Sequence, residues 1–452
     1  MAGLQDGGIS RRRMLSVAAA AGVGLVAGSA ERAGAADGPA RKAAQKSVFG
    51  LRHPAMGKVR VGMIGMGGRG SGLLGNLLDI EKVEIRAVCD VVGAKVAQSQ
   101  RRVVEKGQAE PAGFAKGETD FENLCKRDDV DVVYIATPWE WHAPMAVCAM
   151  KNGKHAAVEV PAAMRVEECW QLVDTAEETQ RHCMMLENCC YGEMEMMVLS
   201  MVRQGVLGEL THGEAAYIHN LADFLMSQES SAVWRRRHGQ RLDGNLYPTH
   251  GLGPIAQYMG INAGDKFEYL VSMSSAERTM SMLRDRLGAG DARRGEKYAC
   301  GDVNTTLIRT ARGRSIMLQY DVSTPRPYSR INMICGTGGT FCDYPPRIHL
   351  RGKGEGWETE MRPYEEKYGH PLWKKLKEWA AKSGGHGGMD YVMNWRLMQC
   401  LLEGEALDMT VYDGAAWSSV LPLSVESVAG GSVPVRAVDF TRGGWKDRKA
   451  AG

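Results

Sequence analysis

The chain has 452 residues, of which 44% are hydrophobic, and a formal net charge of +3. That length is enough for two sizeable domains, and the nearly balanced charge gives no indication of a nucleic-acid partner. Once an N-terminal leader is set aside, no apolar run reaches the roughly 18 residues that a membrane-spanning helix needs. We therefore expect a globular protein with no membrane span in the mature chain.

The leader has the order of segments found in export signals. A basic run at residues 10–15 (SRRRML) precedes an apolar stretch at 17–27 and small residues at 33–35. This order resembles a twin-arginine signal, whereas a disordered basic tail on a cytosolic protein is the alternative. We predict a signal peptide over residues 1–36, a polar linker over 37–57, and a mature protein that is periplasmic or secreted.

Cysteine usage gives no sign of a metal site. There are 11 cysteines, including the adjacent pair Cys189 and Cys190, and no C-x-x-C pair of the kind that binds zinc. We interpret most of them as small buried hydrophobic residues with free thiols. The sequence therefore predicts no metal ligands.

Residues 58–70 (KVRVGMIGMGGRG) have the pattern of a strand, a tight turn and a helix start. Gly65, Gly67 and Gly70 have G-x-G-x-x-G spacing, which lets a diphosphate approach the backbone at a helix N-terminus. A glycine turn that binds nothing has the same pattern. However, a second apolar run ends at Asp90, roughly twenty residues further on, where a carboxylate can bind an adenosine ribose and repel a 2′-phosphate. The motif therefore predicts NAD as the cofactor.

The segments that follow alternate between strands and helices. Strands are predicted at 130–138, 155–160 and 183–186, and helices at 91–106 and 166–180. This alternation predicts an α/β fold with a doubly wound parallel sheet of the Rossmann type over residues 58–187, with ligands at the carboxyl ends of the strands. Residues 139–142 (WEWH) follow one such end, although an aromatic turn has the same composition.

The remainder, residues 188–452, has a different texture. Segments 214–219, 266–273, 305–310 and 315–322 have partly alternating polarity, which predicts an α+β domain with a largely antiparallel open sheet. Two stretches, 341–346 and 357–368, have the composition of surface or edge structure. The basic run 234–238 (WRRRH) is either a solvated face or a place where an arginine clamps a ligand.

Residues 383–388 (SGGHGG) surround one histidine with four glycines. Such a loop has almost no side-chain packing, so His386 is free to move into and out of a site. An imidazole is suited to proton transfer near neutral pH. A flexible linker with an incidental histidine is the alternative.

Several motifs together resemble glycoside hydrolase family 109, whose members are exported NAD-dependent glycosidases typified by α-N-acetylgalactosaminidases on the fold of the Gfo/Idh/MocA sugar oxidoreductases. The motifs are the glycine fingerprint, residues 139–142, 159–161 (EVP), Asn188, residues 247–250 (YPTH) and 384–388 (GGHGG). The resemblance implies NAD contacts from Gly68, Arg69, Asp90, Trp139, Glu140, Trp141, His142, Glu159, Val160 and Asn188. It implies a sugar site lined by Tyr217, Arg235, Tyr247, Pro248, Thr249, His250 and Tyr328. His386 is the implied acid/base residue, and His250 is the rival candidate.

The family implies a redox-neutral hydrolysis. Hydride leaves C3 of the sugar for NAD⁺, the C2 proton becomes acidic, the C1 substituent is eliminated, water adds, and the hydride returns. Val160 stands where sugar dehydrogenases of the superfamily usually have a lysine, and valine cannot transfer a proton. Free NAD is scarce outside the cytoplasm, which also favours a cycle that regenerates its cofactor.

Three hypotheses follow: an NAD-dependent glycosidase acting on a small-molecule or glycan substrate, an exported sugar oxidoreductase, and a non-catalytic sugar-binding protein that keeps NAD. The sequence leaves open the exact sugar, the anomeric selectivity and whether the chain forms a homo-oligomer.

Overall fold

The computed structural model describes residues 39–383 and 385–448. The predicted signal peptide lies outside these residues. Residues 39–57 form no helix or strand, yet they lie against the body of the protein: Arg41 pairs with Glu177 at 2.8 Å, and Val48 is buried. This stretch therefore forms an N-terminal arm that packs against the first half of the chain.

Six parallel strands form the first sheet, in the order β3-β2-β1-β4-β5-β6. They are β1 (Val59–Ile64), β2 (Val83–Cys89), β3 (Ala112–Phe114), β4 (Val132–Ile135), β5 (His155–Val158) and β6 (Cys183–Met185). Every residue of β4 and β5 is buried, as expected for central strands covered by helices on both faces. The predicted Rossmann sheet is thereby confirmed.

The helices of the first half connect these parallel strands. They are α1 (Gly68–Leu78), α2 (Gly93–Glu105), α3 (Phe121–Cys125), α4 (His142–Lys151) and α5 (Val166–Thr179). The carboxyl ends of β1, β2, β4, β5 and β6 lie at one edge of the sheet. The glycine turn, Asp90, the WEWH segment, Glu159 and Glu187 follow those ends, so this edge carries most of the predicted cofactor site.

The second sheet has eight strands, in the order β13-β12-β11-β7-β10-β9-β8-β14. They are β7 (Leu210–Ile218), β8 (Phe267–Ser274), β9 (Asn304–Thr310), β10 (Ser315–Asp321), β11 (Met333–Gly336), β12 (Gly339–Cys342), β13 (Arg347–Leu350) and β14 (Val435–Arg436). Within the described residues every neighbouring pair is antiparallel apart from β7 with β10. The expected largely antiparallel sheet is confirmed, and its outer face carries the exposed side chains of Tyr269, Met273 and Leu307.

The helices of the second half pack on both sheets. They are α6 (Glu193–Arg203), α7 (Ala222–Leu225), α8 (Ser230–Gly239), α9 (Thr249–Tyr258), α10 (Thr279–Asp285), α11 (Arg362–Tyr368), α12 (Pro371–Ser383), α13 (Met389–Glu403) and α14 (Val411–Ala429). Helix α14 contacts α5 and β6 of the first half and β8 of the second. Its buried Ser418 accepts a hydrogen bond from the backbone N–H of Ala162, so a polar side chain of this apolar helix joins the two halves. Ser424 accepts one from the N–H of Asn245 within the second half.

Two smaller expectations need correction or comment. Phe341 was expected in surface or edge structure, but it is fully buried in β12, one strand in from the edge strand β13. The 357–368 stretch begins with the exposed Trp357 and ends in helix α11, which buries Tyr364.

All 11 cysteines have free thiols and are buried or half-buried. In the described part of the chain, no helix combines the length and the apolar character needed to span a bilayer.

Candidate active site

The glycine turn between β1 and α1 leaves room for a diphosphate. Gly65 has φ 87°, a left-handed conformation, and a Cβ at Gly70 would collide with the carbonyl oxygen of Gly65. By contrast, a Cβ at Gly67 or Gly68 would meet nothing within 4 Å. No side chain caps the N-terminus of α1, so its first N–H groups are available to phosphate oxygens. These features fit NAD.

Asp90 has a structural task beside its predicted one. Its Oδ2 accepts a hydrogen bond from the N–H of Met66 at 2.7 Å, and its Oδ1 accepts one from Val92 at 2.8 Å. The carboxylate therefore holds the glycine turn against the end of β2. Each carboxylate oxygen can accept a second bond, so contact with a ribose hydroxyl remains compatible with this arrangement.

An ion-pair network links predicted NAD residues to the second half of the chain. Arg69 donates from Nε to Glu159 and from Nη1 to Asp390, the latter at 2.6 Å. The amide of Asn188 donates to the other oxygen of Asp390 at 2.6 Å, and His386 Nδ1 lies 2.8 Å from Asp390 Oδ2. Four predicted site residues thus meet at or next to one unpredicted carboxylate.

The WEWH segment packs against the second half. The Trp139 ring is stacked on Tyr247 at 5.5 Å between centroids and on His238 at 5.1 Å. The guanidinium of Arg235 lies 5.5 Å from the Trp139 ring centroid and 4.9 Å from that of Trp234. Arg235 therefore lies among aromatic faces on the interior side of the predicted basic run, as the clamp interpretation requires.

Other predicted residues have partners within the protein. Both ring nitrogens of His142 lie against backbone carbonyl groups, that of Pro161 at 2.7 Å and that of Thr137 at 2.9 Å. Trp141 contacts Phe121 edge-on, and Glu140 lies 3.4 Å from His238. The side chains of Val160 and Thr249 are buried, and Pro248 immediately precedes α9. The buried side chains of His142, Val160 and Thr249 therefore pack behind the walls of the site, in the protein interior.

The predicted sugar residues form an aromatic wall. Tyr217, at the end of β7, has its ring centroid 4.7 Å from that of Tyr247 and 6.5 Å from that of Tyr328. The Tyr217 hydroxyl lies 3.0 Å from His219 Nδ1, and Tyr328 accepts a hydrogen bond from Arg330 at 2.9 Å. Burial raises the pKa of Tyr217, so its hydroxyl stays protonated and can donate to a sugar oxygen.

His250 is fixed by close helix packing and by a carboxylate. A Cβ at Gly251 would come within 2.5 Å of the backbone of Ala216, so glycine lets α9 lie directly on β7. This places the His250 ring 5.5 Å from that of Tyr217. His250 Nδ1 lies 2.7 Å from Glu187 Oε1. Burial alone would raise the pKa of Glu187, but His250 outweighs it and lowers that pKa, so the glutamate is a charged acceptor that orients the imidazole.

His386 lies in a short left-handed stretch ahead of α13, in which residues 385–388 all have positive φ. Its side chain is 56% exposed, whereas that of His250 is 13% exposed. The bond to Asp390 anchors the His386 ring, so the ring is less free to move than a loop of glycines predicts. The ring is largely exposed, but the backbone at Gly388 is buried against Ala380 of α12.

A cavity of about 650 Å³, counted to its open mouth, lies beside the aromatic residues Trp139, Tyr217 and Tyr247. Trp139, Tyr217, Arg235 and Tyr247 line it together with apolar residues such as Leu225 and Met280. The structure thus joins predicted cofactor and substrate residues in the wall of one cavity. His250 contacts Tyr217 and Tyr247 from outside that wall.

A Rossmann domain followed by an open, largely antiparallel sheet defines the class of two-domain NAD-binding oxidoreductase folds. A solved levoglucosan dehydrogenase in complex with NADH matches 84% of this chain and 99% of its own with a TM-score of 0.66 at 20% identity. A scyllo-inositol dehydrogenase from Lactobacillus casei matches with a TM-score of 0.61 at 14% identity, covering 84% and 99%. The oxidoreductase-family profile for NAD-binding Rossmann folds matches residues 59–187, and NAD is accordingly the cofactor.

The chain belongs to glycosyl hydrolase family 109 and is therefore a glycoside hydrolase. The profile of that family's C-terminal domain matches residues 191–447. A glycosyl hydrolase family 109 protein of Solibacter usitatus is 53% identical over 97% of this chain and 99% of its own length. A Shewanella oneidensis protein named alpha-N-acetylgalactosaminidase is 48% identical over 98% of each chain. The resemblance inferred from the motifs is confirmed.

Sequence reasoning missed the groups that hold the two histidines. Glu187 is 63 residues from His250, and no local pattern pairs them. Asp390 is four residues from His386, a spacing that brings side chains together where a helix begins and could have identified it. His219 was also missed. Burial, followed by the charges of His250 and His386, lowers its pKa, which places all three histidines in one electrostatic environment.

Proposed function

We propose that this protein is an exported glycosidase that removes terminal N-acetylgalactosamine or a related sugar by an NAD-dependent, redox-neutral mechanism. The observation that carries the choice of sugar is the Shewanella oneidensis relative with that name, which this chain matches at 48% identity over 98% of its length. We propose a signal peptide at 1–36, a cofactor domain at 58–187 and a substrate domain at 188–452. Export rests on the leader sequence alone.

The residues of the first domain supply the cofactor site. The open backbone at Gly67 and Gly68 and the uncapped start of α1 would hold the diphosphate, and Asp90 would hold the adenosine ribose. When bound, NAD supplies a hydride acceptor and donor for C3 of the sugar. Val160 is buried just after β5 and has no titratable group, so other residues must transfer the proton.

The two histidines are suited to that work. In each, a carboxylate oxygen lies within 2.8 Å of Nδ1, so Nδ1–H donates and Nε2 carries the lone pair. We propose that His386 Nε2 takes the C2 proton as the C1 substituent leaves. It later returns a proton to C2 when water adds at C1. His250, fixed beside Tyr217 and Tyr247, orients the sugar and is the rival for the same role.

A screen of the purified protein against α- and β-nitrophenyl glycosides tests the activity and the anomeric selectivity. We expect release of nitrophenol from an α-N-acetylgalactosaminide with no net NADH in solution. Turnover in D₂O should place deuterium at C2 of the released sugar. Hydrogen retained at C2 would contradict elimination, and a C3-oxidised sugar without hydrolysis would instead support an oxidoreductase.

The export proposal has its own test. Replacing Arg11 and Arg12 by lysine should hold the precursor in the cytoplasm, because the transport system that recognises this leader reads the arginine pair. Replacing Arg13 alone is the matched control. Unchanged export of the double variant would contradict the assignment.

A further inference from the structure

Asp390 occupies the centre of the ion-pair network, yet neither its sequence position nor the family resemblance gives it a role. Its Oδ2 accepts from Arg69 at 2.6 Å and faces His386 Nδ1 at 2.8 Å, while its Oδ1 accepts from Asn188 at 2.6 Å. Its side chain is 5% exposed. A buried carboxylate with three charged or polar donors is held in one geometry far better than a surface ion pair.

The sequence positions of these donors are far apart. Arg69 is 321 residues from Asp390 and lies in the first turn of α1, next to the glycine turn, while Asn188 follows β6 and is 202 residues away. Arg69 also donates to Glu159, the last polar group before Val160. Asp390 therefore joins the cofactor edge of the first sheet to the histidine loop of the second half.

The loop backbone is shaped for this contact. A Cβ on Gly385 would come within 2.7 Å of Asp390 Oδ2, so a larger residue would displace the carboxylate from the imidazole. Gly385 has φ 77° and His386 has φ 47°, a left-handed pair that turns the ring back toward the start of α13. The simpler interpretation of Asp390 is an acid in the first turn of α13 that favours the helix dipole. That interpretation accounts for its position but not for its three side-chain donors.

The surroundings of Asp390 favour its charged form. Burial alone would raise the pKa of Asp390, but the hydrogen bond from His386 and the charge of Arg69 outweigh it and hold that pKa well below its usual range. A charged acceptor on Nδ1 selects the imidazole tautomer whose lone pair is on Nε2.

We propose that Asp390 is a positioning residue that aligns the His386 imidazole with the cofactor site by binding the histidine, Arg69 and Asn188 through one carboxylate. The inference rests on the proposed function of His386 in proton transfer. The alignment of His386 then depends on Arg69 and Asn188, which belong to the predicted cofactor site, because the same carboxylate binds all three residues.

Asp390→Asn removes the charge at nearly constant shape. Because small misplacements of a reacting group can cost about 10²-fold in rate, we expect kcat to fall by that order while the KM for the glycoside changes little. Added to His386→Ala, the substitution should cost nothing further in kcat, because both act through the imidazole. The matched control is Asp131→Asn, which breaks the pair with Arg60 before β4, away from the site, and should leave kcat unchanged.

A second measurement needs no glycosidase activity. Hydrogen exchange of the 385–390 backbone should slow when NAD binds the wild type and should respond less in the Asp390→Asn variant. If that variant does not fold, Asp390→Glu keeps the charge, moves the carboxylate by one methylene and should still lower kcat. Loss of stability with unchanged kcat, or additive kcat losses with His386→Ala, would overturn the proposal. An inactive wild type with the exchange difference intact would count against the glycosidase and leave Asp390 supported.

Discussion

The two histidine–carboxylate pairs have nearly the same local geometry in very different surroundings. His250 and Glu187 are 2.7 Å apart and His386 and Asp390 are 2.8 Å apart, each through Nδ1. Glu187 is fully buried and its histidine is 13% exposed on a helix packed against β7. The second histidine is 56% exposed on a loop of left-handed residues. One pair is thus part of the packed interior, whereas the other combines a fixed carboxylate with a loosely held ring.

This difference predicts a separation between activity and stability. A solvent-exposed ring on a loop can follow a substrate through several proton transfers, while a ring in the interior can keep one orientation for binding. Substitutions at His386 or Asp390 should therefore affect turnover. Substitutions at His250 or Glu187 should affect folding as well.

The largest expected effect is on turnover. His386→Ala should lower kcat by about 10²- to 10⁴-fold, the usual contribution of a general acid/base group. NAD affinity measured by calorimetry should stay within a few-fold, because Arg69 and Asn188 keep their bonds to Asp390. Added imidazole should restore part of the activity. Near wild-type kcat in this variant, with collapse in His250→Ala, would transfer the role to His250.

The second effect is on stability. His250→Ala leaves the Glu187 carboxylate buried and without the Nδ1–H that donates to it, which should cost about 3 kcal/mol in the free energy of unfolding. His386→Ala removes an exposed ring and should change that free energy by less than about 0.5 kcal/mol. Urea unfolding measures both. Adding Glu187→Gln to His250→Ala should recover part of the loss, and a double variant no more stable than the single one would contradict the explanation.

The fold of the first domain could be predicted because its signals are local. Gly65, Gly67 and Gly70 lie within six residues of one another, and Asp90 follows directly from the next strand, so spacing alone predicted the turn and a candidate ribose acceptor. The N-terminal arm was missed because its packing depends on Glu177 and Tyr412, which receive Arg41 and Val48 from far along the chain.

The candidate site divides in the same way. Motifs predicted the residues that we propose to act on a ligand, but they did not predict the groups that hold those residues. The role of Asp390 becomes visible only through its contact with Arg69, and these two residues come together only in the folded chain. The buried position of Glu187 follows from the packing of the segment after β6 against α9, which no single segment encodes.

A third histidine group tests what a carboxylate contributes. His53, His155 and His182 meet where the N-terminal arm lies against the first sheet, with ring centroids 4.5 to 5.1 Å apart and no carboxylate bonded to them among the described residues. Burial, helped by the positive charge of neighbours including Arg181, lowers the pKa of His155 to about 2 and that of His182 to about 3. These two rings are therefore neutral in the folded protein.

The sign of the pH dependence follows from these shifts. The unfolded chain takes up protons at these histidines below about pH 6.5, but the folded chain does not until about pH 3, so stability is full above pH 6.5 and is lost as the pH falls. Between pH 6.5 and 5.5 we expect a loss of about 2 kcal/mol for the pair. Urea unfolding across this range measures it, and His182→Gln should reduce the slope, whereas His349→Gln, at a half-buried ring in β13, should not. A flat profile would mean that the rings protonate without unfolding.

The smallest effect concerns the backbone under His386. Gly388 has φ 95°, and a Cβ there would lie 2.7 Å from the Cβ of Ala380 on α12, so Gly388→Ala must shift the loop. Gly387 also has positive φ, at 68°, but a Cβ there would meet nothing within 4 Å. Both alanine variants incur a left-handed cost of about 1 kcal/mol, which makes Gly387→Ala the matched control. We expect kcat to fall about tenfold in Gly388→Ala and clearly less in Gly387→Ala, because a displaced imidazole loses alignment. Equal losses in the two variants would mean that the backbone conformation of the loop, rather than its packing against α12, sets the position of His386. In both variants His250 should keep its bond to Glu187.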